Sequence, residues 1–351
     1  MQELWFSDWR SLMGAVLHWL AGGDPYGAFT MAGGMAYKAG WYAYPPPTLL
    51  LAAPLALLPW QLSGLLVQLL AIVGFERWAR RSSGRMVLPW LILWLPLLQG
   101  LFIGQTTLLA LVALMLAEES FRAGRDRRAA LLLALCLLKP QATILAASWL
   151  LGLALWQRRW RLLASFGAVC LLLWGGAALV AGPAIYLQWY EGLNAYRVAL
   201  PDRPLLAPPF GPLLGLLALG FWWRAGRGDH FAAFLLLNTL IYPLSVVYIA
   251  VGLAFVVIRW RPDWPWYPLL LSWTIPAVFI LGERTADSIA GLTQAIIATG
   301  LLAGLLPRLP LPRLATRWPL GTGSSAAHAA PCYNTHDERP AIARGPDGPR
   351  A

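Results

Sequence analysis

The chain has 351 residues, of which 58% are hydrophobic and 12% charged, and its formal net charge is +11. A soluble domain carries about 25% charged residues, so half that share cannot clothe an aqueous surface and a soluble fold is excluded. The positive charge sits in short arginine runs between apolar stretches, which is the signature of membrane orientation and argues against nucleic acid as a partner.

Residues 1–46 are mixed and aromatic. They predict an extracytoplasmic loop with one amphipathic helix around 9–21, ended by Gly22-Gly23. The opening MQELWFSDWR has acidic residues, no basic start and no apolar core, so it does not read as a signal peptide. Pro45-Pro46-Pro47 then opens an apolar stretch to Phe75, interrupted by Pro54 and Pro59. It is too long for one straight span of about 20 residues and predicts a short dipping helix leading into a full span. Further apolar stretches follow at 86–98, 104–118, 129–138, 140–156, 162–181, 211–223, 230–242, 243–258, 264–281 and 288–306. Segment 182–210 reads as an external loop, and 307–351, rich in Pro, Gly, Ala and Arg, as a disordered cytoplasmic tail. Residues 47–306 thus form an all-α polytopic bundle of about 11 crossings.

Arginine runs at 77–85, 122–128, 158–161, 224–227, 259–261 and 308–317 set the orientation. With an odd number of crossings the start lies outside, the tail inside, and every run falls on the cytoplasmic side. The stretches 86–98 and 129–138 are below spanning length. Broken helices need protein or water to satisfy their backbone, so the bundle should hold a cavity open to the outer side.

The chain has no P-loop, GxGxxG, HExxH or nucleophile elbow, and no paired acids of the DxD kind outside the tail. Its three cysteines are scattered, without zinc or disulfide spacing. Chemistry must therefore come from the outer-face charges. Lys139, one of two lysines, sits between two apolar stretches beside the helix-breaking Pro140. An ionisable group at membrane depth costs roughly 2.5–3.5 kcal/mol on insertion scales; Lys139 is either functional or a lysine snorkelling from a helix end. Gln105 is a cap or interhelical amide, or a substrate contact. His18 and His230 are isolated and read as structural. Asp24, in GGDPYG, suits a turn. Asp8 precedes the aromatic helix with no turn motif around it.

These segments, in their order, resemble glycosyltransferase family 87, the polyprenol-phosphate-mannose-dependent mannosyltransferase-like members of the GT-C superfamily. The resemblance is carried by Asp8, Gly22-Gly23, Tyr26, Tyr44-Pro45-Pro46, Pro54-Leu55-Ala56-Leu57-Leu58-Pro59, Gly104-Gln105, Lys139-Pro140 and the arginine turn 157–161. It covers about residues 5–165 closely and the later spans by pattern. The chain departs from the family at Thr107, where Asn is frequent, and at 242–248, where a His-containing segment is replaced by YPLSVVY. The family also has a spanning helix before the early Asp, which would bring the count to about 12 with both ends cytoplasmic.

The resemblance implies a membrane-bound, extracytoplasmic hexosyltransferase without cofactor or metal. It would move a single sugar, mannose, from a polyprenyl-phosphate donor to a glycolipid or glycan acceptor with inversion. Asp8 would be the general base. Lys139, then Arg10 and Arg203, would hold the donor phosphate. Gln105, Tyr44, Asp24 and Trp41 would contact substrate, although belt anchoring is the commoner use of outer aromatics. A secondary transporter, or a homologue that has lost activity, is the alternative. A transporter would carry its charges at mid-membrane, whereas the acids here cluster in outer loops.

Overall fold

The computed structural model describes residues 5–30, 36–38, 44–199, 204–241, 247–280 and 286–308. They form helices α1 (Ser7–Leu20), α2 (Pro47–Ala52), α3 (Trp60–Ser83), α4 (Leu88–Leu93), α5 (Leu95–Phe102), α6 (Thr107–Arg122), α7 (Asp126–Cys136) and α8 (Pro140–Trp156). After these come α9 (Trp160–Cys170), α10 (Gly176–Ala181), α11 (Ile185–Ala199), α12 (Gly211–Phe221), α13 (His230–Ile241), α14 (Val251–Trp260), α15 (Tyr267–Ile280) and α16 (Ala286–Leu305). A two-residue antiparallel pair, β1 (Phe29–Thr30) with β2 (Ala36–Tyr37), follows α1.

The helices fall where the apolar stretches predict them. The proline-broken entry resolves into α2, a 3-10 turn over Ala53–Leu57, and the long α3 beginning after Pro59. The stretch 162–181 is one continuous apolar helix, Trp160–Ala181, with a single π-helical turn at Leu171–Gly175. Two helices, Trp60–Ser83 and Trp160–Ala181, are long and apolar enough to cross a membrane. A third span counts if α5 and α6, bent by 112° at their junction, act as one. The remainder are shorter, including α4, α5 and α7. This is an all-α membrane protein with broken helices, and about 11 crossings remains an expectation from sequence.

One reading needs correction. Segment 182–210 is not loop throughout, because it contains α11. That helix mixes aromatic with polar side chains (IYLQWYEGLNAYRVA), so a search for continuous apolar length passes over it. The tail reading falls outside the described residues beyond Arg308.

The core is one large cluster built around Phe75, Trp78, Trp90, Trp94 and Phe255, all 0–1% exposed. A smaller cluster joins α1, α2, β2 and α11 through Trp9, Leu12, Tyr26, Tyr37, Leu49 and Ile185. That second cluster carries the start of α1 onto the bundle. Trp9 there donates its indole N–H to Ser63 Oγ at 3.0 Å.

Three junctions put charged or amide side chains at one place. Helix α5 ends at Gly104, whose φ of +76° is the left-handed value that favours glycine. Gln105 N donates to Gly100 O at 2.8 Å and Gly104 N to Leu101 O at 3.1 Å, the paired bonds of a Schellman ending. A Cβ at Gly104 would also lie 2.7 Å from Trp9 Cβ. The carbonyls left over at the end of α5 meet the amides left over at the start of α1: Phe6 N donates to Phe102 O and Asp8 N to Ile103 O, both at 2.9 Å. Between α7 and α8, Lys139 is the residue before Pro140, which occupies the first helical position where its missing N–H costs nothing. Thr143 Oγ1 bonds the carbonyls of Cys136 and Lys139 at 2.9 and 3.2 Å, satisfying acceptors the break leaves open.

Candidate active site

Asp8, Gln105, Lys139 and Tyr44 come from four separate stretches and meet at one point. The Gln105 amide stands between the two charges. Its Nε2 donates to Asp8 Oδ2, and its Oε1 accepts from Lys139 Nζ. Lys139 Nζ also donates to the Tyr44 hydroxyl at 2.9 Å and lies 4.6 Å from the Tyr44 ring centroid. Thr106 Oγ1 donates to the same hydroxyl at 3.1 Å, and the hydroxyl's own proton points to Gln105 Oε1 at 3.4 Å. The Gln105 backbone carbonyl accepts from Gln68 Nε2 at 3.0 Å, which anchors the residue to α3. Gln105 and Lys139 are only 5% and 4% exposed.

An amide placed this way matches both neighbours: its N–H₂ faces the carboxylate and its carbonyl faces the ammonium. Burial raises the pKa of Asp8, opposed by the positive charge of Lys139 and the hydrogen bond from Ser7. Asp8 is therefore a stronger base than an exposed aspartate.

Two tyrosines that sequence reasoning did not place in the site stand beside it. Tyr37, on β2, is 2% exposed, and its hydroxyl is pushed up first by burial and then by the charge of Asp8. Tyr248 bonds Gln105 through its side chain, and Lys139 Nζ lies 5.8 Å from its ring centroid. Tyr248 belongs to the segment that departs from the family pattern, which was the one signal available.

The other predicted residues are placed differently. Asp24 holds its own turn: Oδ1 accepts from Tyr26 N at 2.9 Å. It serves the site at one remove, because Tyr26 then donates its hydroxyl to Tyr44 O at 3.0 Å. Arg10 lies with its guanidinium 5.7 Å from the Trp60 ring centroid. His18 stacks on Phe29 at 4.2 Å, a packing role. Trp41 and Arg203 lie outside the described residues. Among the described residues, no three of His, Cys, Asp or Glu come together as a metal site would need.

A cavity of about 470 Å³ lies elsewhere, at the far ends of α6 and α8, between Phe121, Trp149 and Phe231.

The model of glycosyltransferase family 87 matches residues 42–281, well over half of the chain. The chain belongs to glycosyltransferase family 87. The matched segment contains Tyr44, Gln105, Lys139 and Tyr248 and extends through α14 and α15, so the later spans belong to the family region more firmly than their pattern suggested. Asp8 lies upstream of the match and is joined to it by geometry. No curated protein and no solved structure matches the chain.

Proposed function

We propose that this glycosyltransferase moves a single sugar, mannose, from a polyprenyl-phosphate donor to an extracytoplasmic glycolipid or glycan. Asp8 takes the proton of the acceptor hydroxyl as that oxygen attacks the anomeric carbon. The bond from that carbon to the phosphate oxygen breaks, the configuration inverts, and the polyprenyl phosphate leaves as an anion. Lys139 receives the developing negative charge, with Arg10 and Arg203 as further cations for the phosphate. A phosphate is a good leaving group, so one carboxylate suffices where an inverting glycosidase needs two.

The observation that supports this reading most is the convergence of a carboxylate and an ammonium on the two ends of one buried amide. A base and a phosphate cation are what the transfer requires, and they lie within one side chain of each other without cancelling in a direct ion pair. The site stands at the start of α6 and α8, while the arginine runs at 122–128 and 158–161 stand at their ends. That separation agrees with an outer-face site under the rule that arginine-rich turns face the cytoplasm.

The test is to incubate membranes containing the protein with labelled polyprenyl-phosphate mannose and identify the labelled product. Label should appear in a lipid or glycan with inverted linkage, and Asp8→Asn membranes should make about a hundredfold less or lower still. Undiminished transfer by Asp8→Asn would remove Asp8 from the mechanism, and label from another sugar donor alone would replace mannose.

A further inference from the structure

The cavity at the far ends of α6 and α8 is built from charged and aromatic side chains that the transfer reaction does not use. Its wall includes Glu118, Arg122, Trp149, Gln157, Arg159 and Asp229. At about 1.5 Å per helical residue, the last turn of α6 is roughly 20 Å from Gln105. The carboxylates are committed inward. Glu118, 5% exposed, accepts from both Arg122 and Arg259, and Asp229 is gripped by Arg259 and by Trp260 Nε1 at 3.1 Å. Of the two arginines in the wall, Arg159 is 17% exposed, pairs with Asp126 and donates to Phe121 O at 2.7 Å, so Arg122 is the one more open to a ligand. The turns that supply the wall (118–129, 157–161 and 224–231) hold nine arginines against four carboxylates, so these turns are positive overall. Half of the Arg122 side chain is exposed, at 49%.

Exposed indoles stand in the segments that supply the wall, Trp156 beside Gln157 and Trp160 beside Arg159 in the chain, with Trp223 next to the turn 224–231. Trp156, Trp160 and Trp223 are 86%, 61% and 62% exposed, and the guanidinium of Arg227 lies 3.1 Å from the Trp223 ring centroid. Tryptophans at helix ends mark the depth of lipid headgroups, and basic pockets between helices at that depth hold anionic headgroups.

We propose that this cavity is a binding site for the phosphoryl headgroup of an anionic phospholipid, seated against Arg122, Arg159 and Gln157 with its acyl chains running along α8 and α9. Lipid, rather than a soluble phosphate ester, is favoured by the exposed indoles of Trp156 and Trp160 next to the lining residues Gln157 and Arg159. The site is distinct from the Asp8–Lys139 cluster and does not depend on the proposed reaction.

The purified full-length protein, in nanodiscs of phosphatidylglycerol and phosphatidylcholine, is stripped with mild detergent, and the retained lipid is weighed by native mass spectrometry. Phosphatidylglycerol should be retained over phosphatidylcholine. Gln157→Glu, which breaks no ion pair, should lower that preference by about fivefold, the effect of one surface charge, without moving the unfolding temperature in lipid-free detergent. Arg122→Gln should act in the same direction. Equal retention of the two lipids, or a preference unchanged in both variants, would overturn the assignment. Equal thermal protection by glycerol 3-phosphate and by phosphatidylglycerol would overturn its lipid character.

Discussion

Opposite ends of α6 and α8 carry polar clusters that treat charge in opposite ways. At the far ends, Glu118 and Asp229 are closed by Arg122 and Arg259 in direct ion pairs. At the near ends, Asp8 and Lys139 are separated by the Gln105 amide, which bonds both. A direct pair in a low-dielectric setting fixes packing and leaves each partner inert toward proton exchange. An amide between the charges satisfies their hydrogen bonds yet leaves the carboxylate able to accept a proton and the ammonium able to turn to a phosphate. Under the proposed mechanism the near cluster puts its charges to chemical use, whereas the Glu118 and Asp229 pairs at the far end hold the fold.

The sharpest way to break that contrast is at the acids. Asp8→Asn should lower transfer by about 10²–10⁴-fold, the usual weight of a general base, while the unfolding midpoint stays within error. A large stability loss with residual transfer would make the near cluster structural too. At the other end Arg259→Met should destabilise the fold by about 3–5 kcal/mol, because Glu118 and Asp229 lose a shared guanidinium inside the protein, with measurable transfer by whatever fraction stays folded. Chemical denaturation of the detergent-solubilised variant measures it.

Lys139→Met comes next. It should raise KM for the donor by about tenfold or more, as loss of a charged hydrogen bond does, and leave dependence on the acceptor unchanged. Equal loss toward both substrates would place Lys139 among the packing residues. The pH profile sharpens the same point. The base must be deprotonated to act, and burial raises Asp8 above its ordinary 3.8. Activity should therefore climb with pH through a midpoint above that value. Lys139→Met removes the charge that holds the pKa down, so it should move the midpoint further up. Asp24→Ala should have the smallest effect, about 1 kcal/mol of stability from one lost turn hydrogen bond, with transfer nearly intact.

The sequence disclosed the helices better than the site. Apolar length and proline placement alone locate α3, α8 and the helix Trp160–Ala181, because those segments are continuous and sharply bounded. Helix α11 escaped because its apolar residues are interleaved with polar ones and never reach spanning length. In the site, Asp8, Gln105 and Lys139 could each be singled out as a charge or amide at an odd position. That one amide would bond both charges could not, since it depends on the bend between α5 and α6 and on the seating of α1, neither of which is local. Tyr37 and Tyr248 were hidden for a related reason: in a chain with 11 tyrosines, only three-dimensional proximity distinguishes those near Asp8.

The turn at Gly104 fixes two things at once, the direction of Gln105 and the register of the first amides of α1. Each residue added to a helix rotates the downstream chain by about 100°, so a one-residue insertion there would swing Gln105 off the site and unseat α1 together. The turn at Gly124 has the same left-handed backbone, but a side chain there would meet nothing within 4 Å, and a length change is free to spread into solvent. Among relatives, chain length should drift at the second turn and stay constant at the first.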